Sequence, residues 1–139
     1  MVKFSIFSKL GGGDTSLMVN PFITKMTKIL DGITNKTNYE KTNLQFHIEF
    51  RVDGDFYQYG DPNGCSNLKF FRQKNLVAIT FALNYDFLKS ETNISEYIKE
   101  TFRLAIEKML DRIVKEKIPI DKSDVLKVLD MEIKNYWYP

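Results

Sequence analysis

The sequence has little of the chemistry that identifies a function. It contains one cysteine, Cys65, and one histidine, His47. A single cysteine excludes an internal disulfide, and one histidine with one cysteine cannot complete a tetrahedral zinc shell without carboxylates. Neither a Walker glycine loop nor a dinucleotide-binding glycine fingerprint is present. We therefore predict no metal site, no cofactor and no catalytic residue.

Net charge and long apolar runs are also scarce. The formal net charge is only +2, from 20 basic and 18 acidic residues, so no strong field attracts nucleic acid or an anionic membrane. No stretch approaches the roughly 18 to 20 apolar residues of a membrane span. The first residues, MVKFSIFSKLGGGD, lack the uninterrupted apolar segment of a signal peptide. Together with the single cysteine, these absences predict a cytoplasmic protein.

The chain does contain enough apolar residues for one domain. Of its 139 residues, 43% are hydrophobic and 14% are aromatic, and a chain of this size can bury a core without disulfide or metal support. No internal repeat or low-complexity segment divides it. Residues 1–139 are therefore predicted to form a single globular domain.

The clearest strand signal is the alternation of apolar and polar residues over 44–52. The dipeptide Asp53-Gly54 that follows is typical of a two-residue hairpin turn. A turn of that length sets Phe50 opposite Tyr57 and keeps the tyrosine on the apolar face, whereas a longer turn would bury a glutamine. The sequence therefore predicts an antiparallel hairpin at this point.

Two more strands are predicted after this hairpin, over residues 68–73 and 76–85. They are joined at Lys74-Asn75, and a two-residue turn there pairs Phe70 with Ile79 on an apolar side. Together with the preceding hairpin, they make an antiparallel meander.

Before the meander, a short alternating run over residues 2–6 predicts a first strand. A helix follows, with Asn20 as its N-cap, Pro21 in its first turn and Gly32 at its end. After the meander, a long helix is predicted to begin at Asn93.

The long helix has Glu96 three residues after Asn93, as in a capping box. Pro119 separates it from a last helix that is capped by Asp121 or Ser123. The predicted fold class is α+β: an antiparallel β-meander with one amphipathic helix before it and two helices after it.

The polar face of the predicted sheet is the candidate binding surface, because it mixes charges of both signs with exposed aromatic rings. The first helix either covers this face or leaves it open. The aromatic tail, Tyr136, Trp137 and Tyr138, either docks on the core or binds a partner. The predicted partner-binding residues are Gln45, His47, Glu49, Arg51, Phe56, Gln58, Lys69 and Phe71.

In general character the whole chain resembles the small bacterial immunity proteins that neutralise toxins of contact-dependent and polymorphic toxin systems. It shares with them a start without a signal sequence, a single Asn-, Lys- and Ile-rich α+β domain, an aromatic-rich meander and no catalytic constellation. Many of those proteins are acidic, and the slightly basic balance here implies a partner that is not strongly basic. The resemblance implies a protein that is not an enzyme and that occludes the active site or an essential surface of a toxin domain.

Two other function classes stay open. A small enzyme or ligand-binding domain would use a pocket near the turn-rich loop that runs from Gly60 to Asn67. A nucleic-acid-associated protein would bind DNA or RNA in a salt-sensitive way. The lysines around the first helix are scattered and lack interleaved aromatic residues, so nucleic acid is not the expected partner.

Overall fold

The computed structural model describes residues 2–9, 14–37, 39, 42–53, 65–84 and 93–138. No helix in these ranges is both long enough and apolar enough to cross a membrane. A short 3-10 turn, Arg72–Lys74, lies between the third and fourth strands. The other elements, in chain order, are β1 (Val2–Lys9), α1 (Asp14–Lys36), β2 (Leu44–Asp53), β3 (Cys65–Phe71), β4 (Leu76–Asn84), α2 (Ile94–Lys115) and α3 (Lys122–Tyr136).

The four strands form one mixed sheet in the order β1-β2-β4-β3. β2 is parallel to β1 and to β4, and only β3 and β4 are antiparallel. The predicted antiparallel meander is therefore wrong, and so is the stated fold class of one helix, a meander and two helices, because it leaves β1 out of the sheet. The first strand predicted over residues 2–6 is confirmed as β1. α1 returns the chain to the end of the sheet where β1 began, and a crossover of this kind makes consecutive strands parallel.

β2 has a hydrogen-bonded neighbour on each edge. Phe50 pairs with Ser8 of β1 and with Phe81 of β4. A strand has only two edges, so the hairpin predicted at Asp53-Gly54 cannot pair along this part of β2. That prediction is wrong, and its partner residue Tyr57 lies outside the described residues.

The link between β3 and β4 is the 3-10 turn followed by Asn75, whose φ of 48° is left-handed. A two-residue type I′ turn would also require a positive φ at Lys74, and lysine rarely adopts one. The longer link moves the register by two residues, so that Phe70 pairs with Val77 instead of Ile79. A shift of two keeps every side chain on its side of the sheet, and the predicted apolar side is confirmed.

The three helices lie on one side of the sheet, where α1 and α2 contact the strands and α3 packs against α1 and α2. Buried residues of α1, α2 and α3 form one hydrophobic cluster with alternate residues of β2, while the intervening residue Gln45 stays exposed. On the same side, the backbone N–H of Phe4 donates to the Thr34 hydroxyl of α1 at 3.1 Å. Helix α1 therefore does not cover the polar face. The buried residues of β2 are Leu44, Phe46, Ile48 and Phe50.

The first helix is longer than its sequence signals predict. It begins at Asp14 and continues past Gly32 to Lys36, so the predicted N-cap at Asn20 and end at Gly32 are both wrong. A Cβ atom on Gly32 would lie 2.6 Å from the Glu132 carboxyl carbon of α3. Gly32 is needed for the close approach of two helices, and it does not end one.

The starts of α2 and α3 agree with their predicted caps. The Asn93 side chain accepts a hydrogen bond from the Glu96 backbone N–H at 3.2 Å. The Asp121 carboxylate accepts one from the Asp124 backbone N–H at 3.3 Å. Both bonds satisfy amides that have no partner within their own helix. The predicted cap at Asn93 is confirmed, and of the two candidates for the last helix, Asp121 and Ser123, the cap is Asp121.

The C-terminal tail docks on the core through Trp137. This side chain is fully buried, with ring centroids 5.6 Å from Phe22 of α1 and 6.4 Å from Phe102 of α2. Its indole N–H donates to the Ser95 hydroxyl at 3.0 Å. The two flanking tyrosines stay about half exposed. Of these three aromatic residues, Trp137 is therefore the one that belongs to the core.

Candidate functional site

The candidate site is the side of the sheet that faces away from the helices, which we call the open face. Residues paired across neighbouring strands point to the same side, so the strand register aligns them in three rows. The first row is Lys3, Gln45, Leu76 and Phe71. The second row is Ser5, His47, Ala78 and Lys69. The third row contains Glu49 and Thr80.

Exposure decreases from the first row to the third. Lys3, Gln45 and Lys69 are exposed, and Phe71 keeps 41% of its surface accessible. The side chains of the third row lie deeper, since Glu49 is half-buried and Thr80 is buried. The part of the open face that a large partner could contact is therefore centred on the first two rows.

The register brings together most of the predicted partner-binding residues. Gln45, His47 and Glu49 lie on β2, and Lys69 and Phe71 lie on β3, on the other side of β4. This clustering follows from the alternation in each strand, which the sequence shows. The β2–β4 pairing that joins them is a long-range contact.

The other three predicted residues, Arg51, Phe56 and Gln58, are not assigned to the open face. Arg51 pairs through its backbone with Ala82 of β4, and its side chain lies outside the described part of the structure. Phe56 and Gln58 lie outside the described residues altogether. The alternative prediction is a pocket near the loop from Gly60 to Asn67. Residues 60–64 of this loop lie outside the described ranges, and residues 65–67 belong to β3.

The neighbourhood of Phe71 is basic. The Lys74 ammonium lies 6.0 Å from the centroid of the Phe71 ring, and Lys69 is two residues away on the same side of β3. Lys3 adds a positive charge at the other end of the first row. In the three rows as described, Glu49 is the only acidic residue. The open face therefore offers an aromatic ring with positive charge around it.

Sequence reasoning missed Lys3, Leu76 and Lys74 as members of this surface. The alternation over residues 2–6 predicted a strand, but it carried no sign that this strand lies parallel beside β2. Lys74 was assigned to the hairpin turn, and only the 3-10 turn brings its ammonium over Phe71. Lys3 and Lys74 are also the residues that give the open face its positive character.

The described residues do not assemble a metal centre. No group of three histidine, cysteine, aspartate or glutamate side chains within the described ranges is arranged to hold a metal ion.

Comparison of the chain with protein-family models, with curated proteins and with solved structures gave no match. The likeness to immunity proteins stays a prediction, and the function is inferred from the open face.

Proposed function

We propose that this chain is a protein-binding protein of the immunity type. In this proposal, the open face binds a cognate toxin domain and occludes its active site or another essential surface. The observation that carries the proposal is Phe71, a large aromatic side chain that is 41% exposed. It lies in a row with Lys3, Gln45 and Leu76, on a sheet face that none of the described helices covers.

An exposed aromatic ring surrounded by polar side chains has the composition of an interface anchor. Aromatic residues near the centre of an interface contribute much of the binding free energy when a partner pocket removes them from water, and the polar rim excludes solvent around them. Lys69 lies two residues from Phe71 on β3, and Gln45 lies beyond Leu76 in the same row, so both can belong to such a rim. The exposure of the ring and the polar side chains near it are therefore those expected of an anchor.

The charge of the open face restricts the partner. Lys3, Lys69 and Lys74 outnumber the single acidic residue Glu49 in the described part of this surface. Electrostatic complementarity favours a partner whose contact surface is acidic and disfavours a basic one. The expected partner is thus a folded domain with an apolar pocket rimmed by carboxylates.

Nucleic acid fits the same surface less well. Single-stranded nucleic acid binds to several aromatic rings on which successive bases stack. Phe71 is the one exposed aromatic residue of the open face within the described ranges. Salt-sensitive binding of RNA or DNA by the purified chain, lost in a Phe71→Ala variant, would replace the protein-binding proposal.

A site-specific cross-linker tests the surface. A photoreactive phenylalanine is placed at Phe71 in one variant and at Val114 in another, since Val114 is an exposed apolar residue of α2 with 51% accessibility. In the native host, the first variant should cross-link to one dominant protein and the second should not. Equal cross-linking from both positions, or none from Phe71, would contradict the proposal.

The captured protein then tests the immunity role. Phe71→Asp should weaken its binding to the purified partner about 30-fold, the effect of losing about 2 kcal/mol at an interface anchor, whereas Val114→Asp should leave affinity unchanged. Expression of the partner alone should arrest growth, and co-expression of the unaltered chain should restore it. A partner that is harmless when expressed alone would refute the immunity role and leave protein binding intact.

A further inference from the structure

A second site lies in the helical layer, in a cleft between α1 and α3. Its cavity has a volume of about 400 Å³ and is lined by residues of both helices, among them Asp31, Lys36, Glu132 and Tyr136. The helices pack on the opposite side of the sheet from the open face. The cleft is therefore independent of the proposed protein-binding surface.

The cleft contains a buried carboxylate that is only half satisfied. Glu132 has no exposed surface, and its Oε1 atom accepts a hydrogen bond from the Lys36 ammonium. Its Oε2 atom is buried and accepts no hydrogen bond from any residue in the described ranges. This oxygen lies over Gly32, where a Cβ atom would be only 2.6 Å away. A glycine at this position makes room for the carboxylate.

The present ion pair does not match the geometry of the carboxylate. A buried acceptor that lacks a hydrogen bond destabilises the fold, and more strongly when it is charged. The lysine ammonium is a compact charge that serves Oε1 alone, whereas a planar guanidinium donates two parallel hydrogen bonds to both oxygens of a carboxylate. A guanidinium would satisfy the oxygen that Lys36 leaves unbonded.

The walls of the cleft also suit a guanidinium. Tyr136 lines the cavity and is 46% exposed, and guanidinium planes stack on aromatic rings. Asp31 adds a second carboxylate at the rim. The Lys36 side chain is 51% exposed at the end of α1, so its ammonium can return to water when another cation takes its place.

We propose that the cleft between α1 and α3 binds a guanidinium group, which displaces the Lys36 ammonium and donates to both oxygens of Glu132. The guanidinium belongs either to a small molecule or to an arginine side chain of another protein. Both sources present the same chemistry to Glu132.

Amide chemical shifts of the full chain test this proposal. Methylguanidinium is titrated against methylammonium at constant ionic strength, because the two cations carry equal charge and differ in their ability to bond both oxygens. Methylguanidinium should shift the amides of Gly32 and Glu132 in a saturable way, and methylammonium should not. An equal response to both cations, or no response to either, would overturn the proposal.

Two variants are expected to change the affinity in opposite directions. Glu132→Gln should weaken methylguanidinium binding at least tenfold, in line with the loss of charge-assisted hydrogen bonds. Lys36→Met removes the competing ammonium and should tighten binding about tenfold. Lys134→Met, which removes the same charge from an exposed position of α3, is the matched control and should leave affinity unchanged.

If Glu132→Gln fails to fold, Lys36→Met still tests the proposal, because the Lys36 side chain is half exposed. Weaker binding by Lys36→Met would refute displacement. Capped arginine, with a peptide bond on each side, distinguishes the two sources. Binding of both probes supports an arginine side chain, and binding of methylguanidinium alone supports a small molecule.

Discussion

The two faces of β2 differ completely in what surrounds them. On one face Phe46, Ile48 and Phe50 are fully buried beneath the helices. On the other, Gln45 is exposed and His47 is half-buried. Burial of one large apolar side chain contributes about 1.5–3 kcal/mol, so the stability of the sheet is concentrated on the helical side. The open face can therefore carry binding residues without being needed for folding.

The largest expected effect is a difference in the free energy of unfolding between variants of two adjacent residues of β2. Phe46 is fully buried and its ring stacks on that of Phe4, with 4.3 Å between centroids. Phe46→Ala should lower the free energy of unfolding toward the upper end of about 3–5 kcal/mol, since it leaves a cavity in the middle of the core. Gln45→Ala, one residue away on the open face, should change it by less than about 0.5 kcal/mol.

Urea denaturation measures both variants. Similar losses in the two would mean that the open face is part of the folding core, and the comparison of the two faces would fail.

A somewhat smaller loss is expected at the edge of the helical layer. Trp137 is buried between α1 and α2 and donates a hydrogen bond to Ser95. Trp137→Ala should destabilise the fold by about 3 kcal/mol, at the lower end for a buried aromatic residue. Tyr138→Ala is the control, because this neighbour is about half exposed and its hydroxyl hydrogen-bonds to Glu96 and Lys99 on the surface of α2.

Thermal unfolding should show a clear fall in Tm for Trp137→Ala and little change for Tyr138→Ala. If Trp137→Ala unfolded at the temperature of the unaltered chain, the tail would have no part in the core.

The smallest effect concerns an exposed ion pair on the helical side. The pKa of Glu96 lies below its ordinary value of 4.5, because the Lys99 ammonium and then the Tyr138 hydroxyl hydrogen-bond to its carboxylate. A carboxyl group whose pKa is lowered on folding stabilises the fold above its ordinary pKa. This contribution is lost as the pH falls through the folded-state pKa.

Glu96→Gln tests this contribution and keeps a residue that suits the capping box. The unaltered chain should be slightly more stable than the variant at pH 7, and the difference should disappear as the pH falls below 4.5. Urea midpoints at several pH values measure it. A difference that grows on acidification would contradict the sign of the pKa shift.

Sequence signals succeeded where the structure depends on near neighbours in the chain. The alternation in β2 identified Phe46 as core and Gln45 as surface, and the cap residues Asn93 and Asp121 started α2 and α3 as predicted. Five of the eight predicted binding residues point to the open face for the same reason, although the strand pairing that brings them together is a long-range contact. Alternation in a strand and capping of a helix are local properties.

The signals failed where a distant contact overrode a local preference. Asp53-Gly54 favours a hairpin, but β1 and β4 occupy both edges of β2. Gly32 favours the end of a helix, but α1 continues through it because Glu132 of α3 packs closely there. In each case residues far apart in the chain supply the contact, and no short window of sequence contains both partners.

The sequence by itself determined which side of each strand is apolar and where α2 and α3 begin. Only the tertiary structure decided that the sheet is mixed, that α1 leaves the open face uncovered, and that Glu132 is buried beside Gly32. Side-chain periodicity is a property of the local backbone. Strand neighbours and helix contacts depend on how the apolar faces of all the elements are buried together.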